Sequence, residues 1–315
     1  MPNIAPADIT FCRLTQYGLL SVSSADNLKF LQGQFSCDVR EVSERQWRYG
    51  ALCTSKGRMI GNFLLAAPIA SQHILRLPTS TLDAVSATLK KFAPFYKGTL
   101  TTITTDYSLV GLAGKSCAEF IRNVFTAVPT DTYGIAVMDD AVIIRLDAQR
   151  YECWIKQSAF PAYLEKLQTS ATEQAESVWD LSNIRNGLGE VRGSTIEEWT
   201  PHMLNLQAIG AVNFKKGCYT GQEIVARTEY RGQQKRAMFR IKGRRLQGSG
   251  LAPEAGTEIL DGEQKAGEIV MASATDNGDW EALAVINDQH LDKPLHCQQG
   301  VIQLLDLPYT TNKKA

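Results

Sequence analysis

The alternation of apolar and polar positions predicts a strand over residues 19–24 (LLSVSS) and a helix beginning near Ser24 in SADNLKFLQGQF. The stretch RYGALCTSKGRMIGNFLLAAP reads as two strands around a Ser-Lys-Gly turn, Ser55 to Gly57. A third strand, HILRL, runs into Ser80-x-x-Asp83, a helix-start signal. Behind it Leu82, Val85, Leu89 and Phe92 recur at helical spacing. SLVGLAG is a strand leading to the capping pair Ser116 and Glu119, then to Phe120, Val124 and Phe125 on one helix face. AVIIRL and YECWI form a strand pair across Asp147–Arg150, and PAYLEKLQ closes as a helix. Strand pairs interleaved with single helices indicate an α+β fold, helices packed on mostly antiparallel sheets. The order over residues 108–168 resembles half of a ferredoxin-like unit.

After Arg236 the pattern changes. AMFRIKG, TEILD, AGEIVMAS, WEALAVIN and GVIQLLD are short strands separated by Gly, Asp and Asn turns, with no helix among them. That predicts a C-terminal all-β barrel or small sandwich, with a boundary near 233–237. No tandem repeat or low-complexity linker interrupts the chain.

Composition narrows the class. The chain has 315 residues, 44% of them hydrophobic and 21% charged, enough for two or three domains of a soluble protein. No apolar run reaches the roughly 20 residues of a membrane span, and MPNIAPADIT lacks the basic and apolar regions of a secretory signal. Seven cysteines, scattered and never in a C-x-x-C pair, argue against a disulfide scaffold or a zinc site and fit the reduced cytoplasm. The four histidines show no ligand spacing with them, so no permanently bound metal is expected. Net charge is zero, which argues against bulk attraction to nucleic acid. Within that balance, residues 215–245 hold ten Lys or Arg against two acids, so this segment carries +8 and the remainder −8. It is either a solvated face or a surface for an anion such as a polyglutamate tail or a phosphate backbone.

One stretch of that segment, KKGCYTGQE, carries candidate chemistry. Thr220 and Glu223 have capping-box spacing, and Gly217 and Gly221 permit a tight approach at the helix entrance. Cys218 is then expected at the positive end of a helix, with Lys215 and Lys216 beside it in sequence, conditions that favour a thiolate. The stretch reads as a reactive site, an anion-binding turn or a well-capped helix start. Glu223, Arg227 and Arg231 follow at four-residue spacing on one helical face. They make either ordinary surface pairs or a cationic row whose guanidinium forks suit carboxylates.

FKKGCYTGQEIVARTEYRG (214–232), with Lys216, Gly217, Cys218, Tyr219, Gly221, Gln222 and Glu223 at its centre, resembles the signature of the YgfZ family, folate-binding relatives of the glycine-cleavage aminomethyltransferase. LQGQFSCDV, SKGRM, NLQAIGAVNF and the closing LPY match as well, so the likeness runs from about residue 16 to 310. The resemblance implies two interlaced ferredoxin-like, folate-binding α+β subdomains over 1–234, with internal boundaries near 48 and 106. A C-terminal antiparallel β-barrel over 235–312 completes the expected fold. It implies a tetrahydrofolate or derivative as cofactor, and aromatic contacts from Tyr17 and Trp179. Arg227 and Arg231 are expected to face the folate glutamates. It also implies support of iron–sulfur enzymes or cluster-assembly proteins, notably those that methylthiolate tRNA, with the effect on tRNA indirect. A cytoplasmic monomer is expected. Cys218 is the expected reactive thiol. A lone cysteine does not hold a cluster by itself, so a partner would supply the other ligands.

Four positions depart from the family pattern. Position 17 is often tryptophan; Tyr17 is still a stacking ring. The aminomethyltransferases carry paired aspartates where this chain has Gly61 and Asn62, neither able to accept a proton at neutral pH. A pterin-binding glutamate of the relatives falls on Arg185, which cannot accept hydrogen bonds. The alternatives are a true folate-dependent aminomethyltransferase, disfavoured by the missing aspartates, and a direct tRNA-binding module using the basic segment. Lys56, in SKGRM, is expected to be a turn residue.

Overall fold

A computed structural model of the chain describes residues 8–69, 71–232, 234–244 and 252–311. Gln233 at the expected domain boundary, Arg245 of the basic segment and residue 312 at the expected barrel end lie outside the described residues. The N-terminal elements are β1 (Thr10–Arg13), β2 (Tyr17–Ser23), α1 (Asn27–Gln32), β3 (Arg48–Cys53), β4 (Met59–Ile69), β5 (Gln72–Pro78), α2 (Thr79–Lys90) and β6 (Thr99–Thr102). Next come β7 (Tyr107–Ala113), α3 (Cys117–Phe125), β8 (Ile135–Val137), β9 (Ala141–Arg145), β10 (Arg150–Lys156), α4 (Phe160–Ser170) and β11 (Thr172–Gln174). The chain continues through α5 (Glu176–Arg185) and α6 (Gln222–Arg231). It closes with β12 (Arg236–Gly243), β13 (Glu258–Asp261), β14 (Gln264–Ala274), β15 (Trp280–Asn287), β16 (Leu295–Cys297) and β17 (Gly300–Leu305).

Two compact units result. The first comprises Met1–Leu31, Asp38–Arg48 and Phe63–Glu176; the second comprises Gln32–Cys37, Tyr49–Asn62 and Ser177–Ala315. One sheet has the strand order β11-β1-β7-β10-β9-β8, antiparallel except for the pairing of β1 with β11. Leaving out β1 and β8, this is the strand order of a ferredoxin-like β-α-β-β-α-β unit, as expected for 108–168. The N-terminal strand β1 is inserted between its first and last strands. The other sheet runs β3-β4-β5-β2-β6, and its β6-β2-β5-β4 portion repeats the same order. The α+β architecture with two interlaced ferredoxin-like modules follows from this strand exchange.

Residues 150–155 of β10 are all buried, on both faces of the sheet. Tyr151, Cys153 and Ile155 join a cluster with Phe120, Ile121 and Val124 of α3 and Leu167 of α4. Glu152 and Trp154 point to the opposite face, because successive strand residues alternate sides. In the second unit β12-β15-β14-β13-β16-β17 form a closed barrel, one of the two forms the short strands predict and the one the resemblance implies. Its core holds Phe239, Ile241, Ile259, Ile269 and Trp280. Closure leaves no open sheet edge to pair with another chain. No helix among the described residues is long and apolar enough to cross a membrane.

Neither α2 nor α3 has a side-chain cap at its N-cap position. Pro78 takes the N-cap position of α2 and Ser116 that of α3, and neither side chain bonds a helix amide. Both helices rest instead on tertiary burial, Leu82, Val85 and Leu89 in α2 and Phe120, Ile121 and Phe125 in α3.

Candidate functional site

The conspicuous motif, residues 215–223, forms a turn built into the second unit. Ser36 anchors its approach: the Ser36 hydroxyl donates to the Ala211 carbonyl at 2.7 Å and accepts from the Ala51 amide at 2.8 Å. The Asn213 amide donates to the Ser36 carbonyl at 2.9 Å, and Asn213 Oδ1 accepts from the Lys215 amide at 2.8 Å. Lys216 then turns inward. Its side chain is buried, with Nζ donating to the Gln32 carbonyl at 2.8 Å and to the Phe35 carbonyl. The same Nζ lies 5.0 Å from the ring centroid of Tyr219. A buried ammonium needs such acceptors, since leaving it unsolvated would cost several kcal/mol, on the order of the burial penalty for any ion. Lys216 is therefore a strut of the turn, while Lys215 is exposed.

The helix starts later than the spacing of Thr220 and Glu223 suggests. Gly221, at φ 85°, is the N-cap of α6, and it makes no side-chain cap. A Cβ there would stand 2.4 Å from the Thr54 carbonyl oxygen, so both the left-handed backbone and the contact require glycine. The Thr220 amide donates to the Gly33 carbonyl at 3.1 Å instead of closing a capping box. Cys218 thus precedes the first helical residue by four positions, outside the first turn, where a helix dipole acts. Gly217, expected to permit a tight approach, has open space where a side chain would go.

The SKGRM turn lies against this entrance. Gly57, at φ 70°, donates its amide to the Thr54 carbonyl at 2.9 Å, and its added Cβ would meet Ile224 at 3.0 Å. Lys56 is exposed at the tip of this turn, the role its sequence context suggests.

Cys218 is exposed, and the other six cysteines are buried. Burial pushes the Cys53 and Cys117 thiols up to about 12, Cys153 well above its ordinary value, and Cys297 up as well. Alkylation of the native protein at neutral pH is therefore expected to modify Cys218 first. Peptide mapping after a short iodoacetamide pulse, on wild type and Cys218→Ser, checks this. A fast-reacting thiol that persists in the serine variant would refute it.

Arg227 and Arg231 stand exposed on α6, and neither they nor Glu223 form an ion pair among the described residues. Ile224 and Tyr230 are exposed beside them, at 37% and 69%. This face offers two guanidinium groups flanked by apolar surface, suited to an anion with a flat or apolar part.

The two candidate stacking rings belong to different units. Tyr17 begins β2 and is 2% exposed; the Arg76 guanidinium lies 4.4 Å from its ring centroid. Arg76 Nε donates to Glu152 Oε1 at 3.0 Å, and Trp154 Nε1 donates to the same oxygen at 2.7 Å. Trp179 lies in α5 and is 1% exposed. Arg227 and Arg231 lie on α6 and Cys218 precedes its entrance, in the same unit as Trp179.

The departures have structural roles. The Asn62 amide nitrogen donates to the Gly189 carbonyl at 2.8 Å, while its oxygen accepts from the Val191 amide at 2.8 Å. Both arms are spent on backbone. Arg185 donates to Glu281 Oε1 at 3.1 and 2.8 Å, and Arg240 donates to Oε2 at 3.0 and 2.6 Å. Burial tends to raise the Glu281 pKa, but the two guanidinium groups outweigh it and hold the carboxyl below its ordinary value. No group of three or more His, Cys, Asp or Glu among the described residues is placed to hold a metal.

The motif reading missed three polar clusters: Arg76 with Glu152, Arg185 with Glu281 and Arg240, and His202 with Glu229 at 3.0 Å. The first left a trace. Arg76 in HILRL and Glu152 in YECWI are opposite charges within otherwise apolar strands, and such charges are rarely buried unpaired.

Comparison with known proteins gives consistent relatives. The chain is 32% identical over 316 residues to the tRNA-modifying protein YgfZ of Colwellia psychrerythraea, covering 98% of this chain and 96% of the relative. It is 31% identical over 316 residues to that of Aliivibrio fischeri strain MJ11, covering 97% and 94%. No protein-family model matches the chain. Among solved structures, the glycine cleavage system aminomethyltransferase T of Bartonella henselae superposes with a TM-score of 0.74 at 15% identity, over 96% of this chain and 86% of that one. At that identity the likeness is one of fold.

Proposed function

Since the chain belongs to the YgfZ family of tRNA-modifying proteins, we propose that it binds a tetrahydrofolate and supports iron–sulfur enzymes that methylthiolate tRNA. The observation that carries this reading is the exposed Cys218 on a turn held by buried Lys216, directly before a helix that presents Arg227 and Arg231. Cys218 is the contact to a partner that supplies the remaining thiolates of a cluster. In this reading the protein is a cytoplasmic monomer, and tRNA is affected through the enzyme it assists.

The chemistry of the residues fits a folate. Arg227 and Arg231 offer forks to the glutamate carboxylates, and Tyr17 and Trp179 are the rings for the flat pterin. Arg185, engaged with Glu281, is not an acceptor for the pterin. Titration calorimetry with mono- and polyglutamylated tetrahydrofolates tests this. Trp179→Ala is expected to weaken both ligands about tenfold, the scale of one lost aromatic contact. Arg227→Ala/Arg231→Ala is expected to weaken the polyglutamate more than the monoglutamate. Absence of heat with every tetrahydrofolate at about 1 mM would end the folate reading.

The enzymatic alternative is weaker, because Gly61 has no side chain and Asn62 is committed to the backbone at 189–191. Without a carboxylate there, a developing iminium loses a preorganised charge worth on the order of 10²–10³ in rate. No release of ammonia from an aminomethylated lipoyl carrier is expected. Heat-labile turnover above background would restore the transferase reading.

A further inference from the structure

Between the end of α2 and the start of β6 the first unit folds its chain into a short hydrogen-bonded turn. The Phe95 amide donates to the Phe92 carbonyl at 3.1 Å, and the Gly98 amide to the Ala93 carbonyl at 2.8 Å. Ala93–Tyr96 form one 3₁₀ turn. Ala93 is buried, and Tyr96 stacks on Phe30 of α1, with ring centroids 5.1 Å apart and planes inclined by 18°. With Tyr96 fixed inward, its neighbour Phe95 projects outward and is 81% exposed. No other large apolar side chain is exposed between Thr79 and Asp106. A ring left in water gains none of the free energy that burial gives.

Three lysines accompany it. Lys90, Lys91 and Lys97 lie within five residues of Phe95 in the chain, are exposed, and form no ion pair among the described residues. Residues 84–105 contain these three lysines and no acid, so the segment carries +3. β2, with which β6 pairs, has no charged residue, and Asp26 and Lys29 at α1 cancel. Residues 1–7 and 70, outside the described residues, add no acidic side chain. Lys97 holds a left-handed backbone at φ 51°. Glycine takes that conformation without strain, whereas the lysine there brings a charge to the turn. β6, at the edge of its sheet, continues the polar surface. Thr99, Thr101 and Thr102 are exposed, and their hydroxyls form no hydrogen bond among the described residues.

We propose that this turn and β6 bind single-stranded RNA, with a base stacked on Phe95, phosphates on Lys90, Lys91 and Lys97, and the threonine hydroxyls free for 2′-hydroxyls. Every base has a face that stacks on an aromatic ring, and a lysine ammonium is a point charge for a phosphate. A protein partner is less suited, because lysine is depleted at protein interfaces. A membrane surface takes up an apolar face, and one ring among lysines and threonines does not make one. The zero net charge of the chain does not oppose the contact, since exposed charges act over a Debye length of about 10 Å. The proposal goes beyond the reading above, in which the partner enzyme performs the tRNA chemistry. It depends on neither folate nor Cys218.

Fluorescence anisotropy with a labelled RNA of about 12 nucleotides and mixed sequence tests it. Binding at or below about 100 µM in about 50 mM salt is expected. Log K is expected to fall against log salt with a slope of about −2, from three phosphates at about 0.7 each. Phe95→Ala is expected to weaken binding about tenfold, as loss of one stacked base does, and to leave the slope unchanged. Lys90→Gln/Lys91→Gln/Lys97→Gln is expected to remove most of the slope. All four side chains are exposed, so both variants are expected to keep the circular dichroism of the wild type. Ultraviolet crosslinking with peptide mapping reads the contact in the wild type itself, with RNA expected on residues 90–102. DNA of the same sequence lacks the 2′-hydroxyl and a blunt RNA duplex has its bases already stacked, so both are expected to bind more weakly. Absence of RNA binding at about 1 mM would overturn the proposal. So would equal binding of the DNA or the duplex, or affinity unchanged in both variants with crosslinks elsewhere, such as residues 215–245. Tighter, Phe95-dependent binding to phosphatidylserine vesicles would assign the turn to a membrane surface instead.

Discussion

Truncating Glu152 to alanine is expected to destabilise the first unit by about 3–5 kcal/mol, the usual cost of removing one partner from a buried ion pair. The pair is deep: the side chains of Arg76 and Glu152 are 5% and 0% exposed, and the Nε–Oε1 distance is 3.0 Å. Glu152 also accepts from Trp154 Nε1, so the truncation removes the charge that balances Arg76 and the acceptor of a buried indole. Urea denaturation followed by circular dichroism would measure the loss. Glu152→Gln keeps an acceptor and removes the charge, so its cost is expected to fall between wild type and alanine. The double change Arg76→Met/Glu152→Met is expected to recover only part of the stability, because an apolar pair pays no desolvation cost but leaves Trp154 Nε1 without its acceptor. A Glu152→Ala protein within about 1 kcal/mol of wild type would show that the pair does not hold the fold. The substitution also bears on the ligand reading, since Arg76 covers the face of Tyr17.

In cells, Cys218→Ala is expected to restore methylthiolated tRNA in a null strain to less than about a tenth of the wild-type level, as removal of a required nucleophilic cysteine commonly does. Stability is not expected to explain the loss, because an exposed side chain contributes little packing. Cys53→Ser is the informative control. Cys53 is buried, and a hydroxyl there is expected to cost stability while sparing the thiol chemistry. Mass spectrometry of tRNA nucleosides reads the product, and immunoblotting shows whether each variant accumulates. Full rescue by Cys218→Ala would leave residues 215–223 a structural turn, and folate binding would be the activity left to test.

Strand and helix periodicity was legible where an element buries a single face. α3 gathers Phe120, Val124 and Phe125 on one side, and the barrel strands stand apart from everything before them. α5 left no such stripe. Its buried residues are Trp179, Asp180, Leu181, Asn183 and Ile184, polar and apolar together, because it is covered on several sides. Trp179 was legible through the family resemblance and not through periodicity.

The chain alone determined the α+β class, an all-β C-terminal region and the motif that leads to the YgfZ family, since residue order encodes periodicity and local words. Tertiary structure decided what the residues of that motif do. Gly221 became the N-cap because the Thr54 carbonyl approaches where a side chain would be. Lys216 turned away from Cys218 because the Gln32 and Phe35 carbonyls await its ammonium inside. Arg76 and Glu152, far apart in the chain, meet because two β-strands place opposite charges in one dry core. The cost of burying a polar group depends on which partner the fold brings within about 3 Å, and local sequence does not specify that partner.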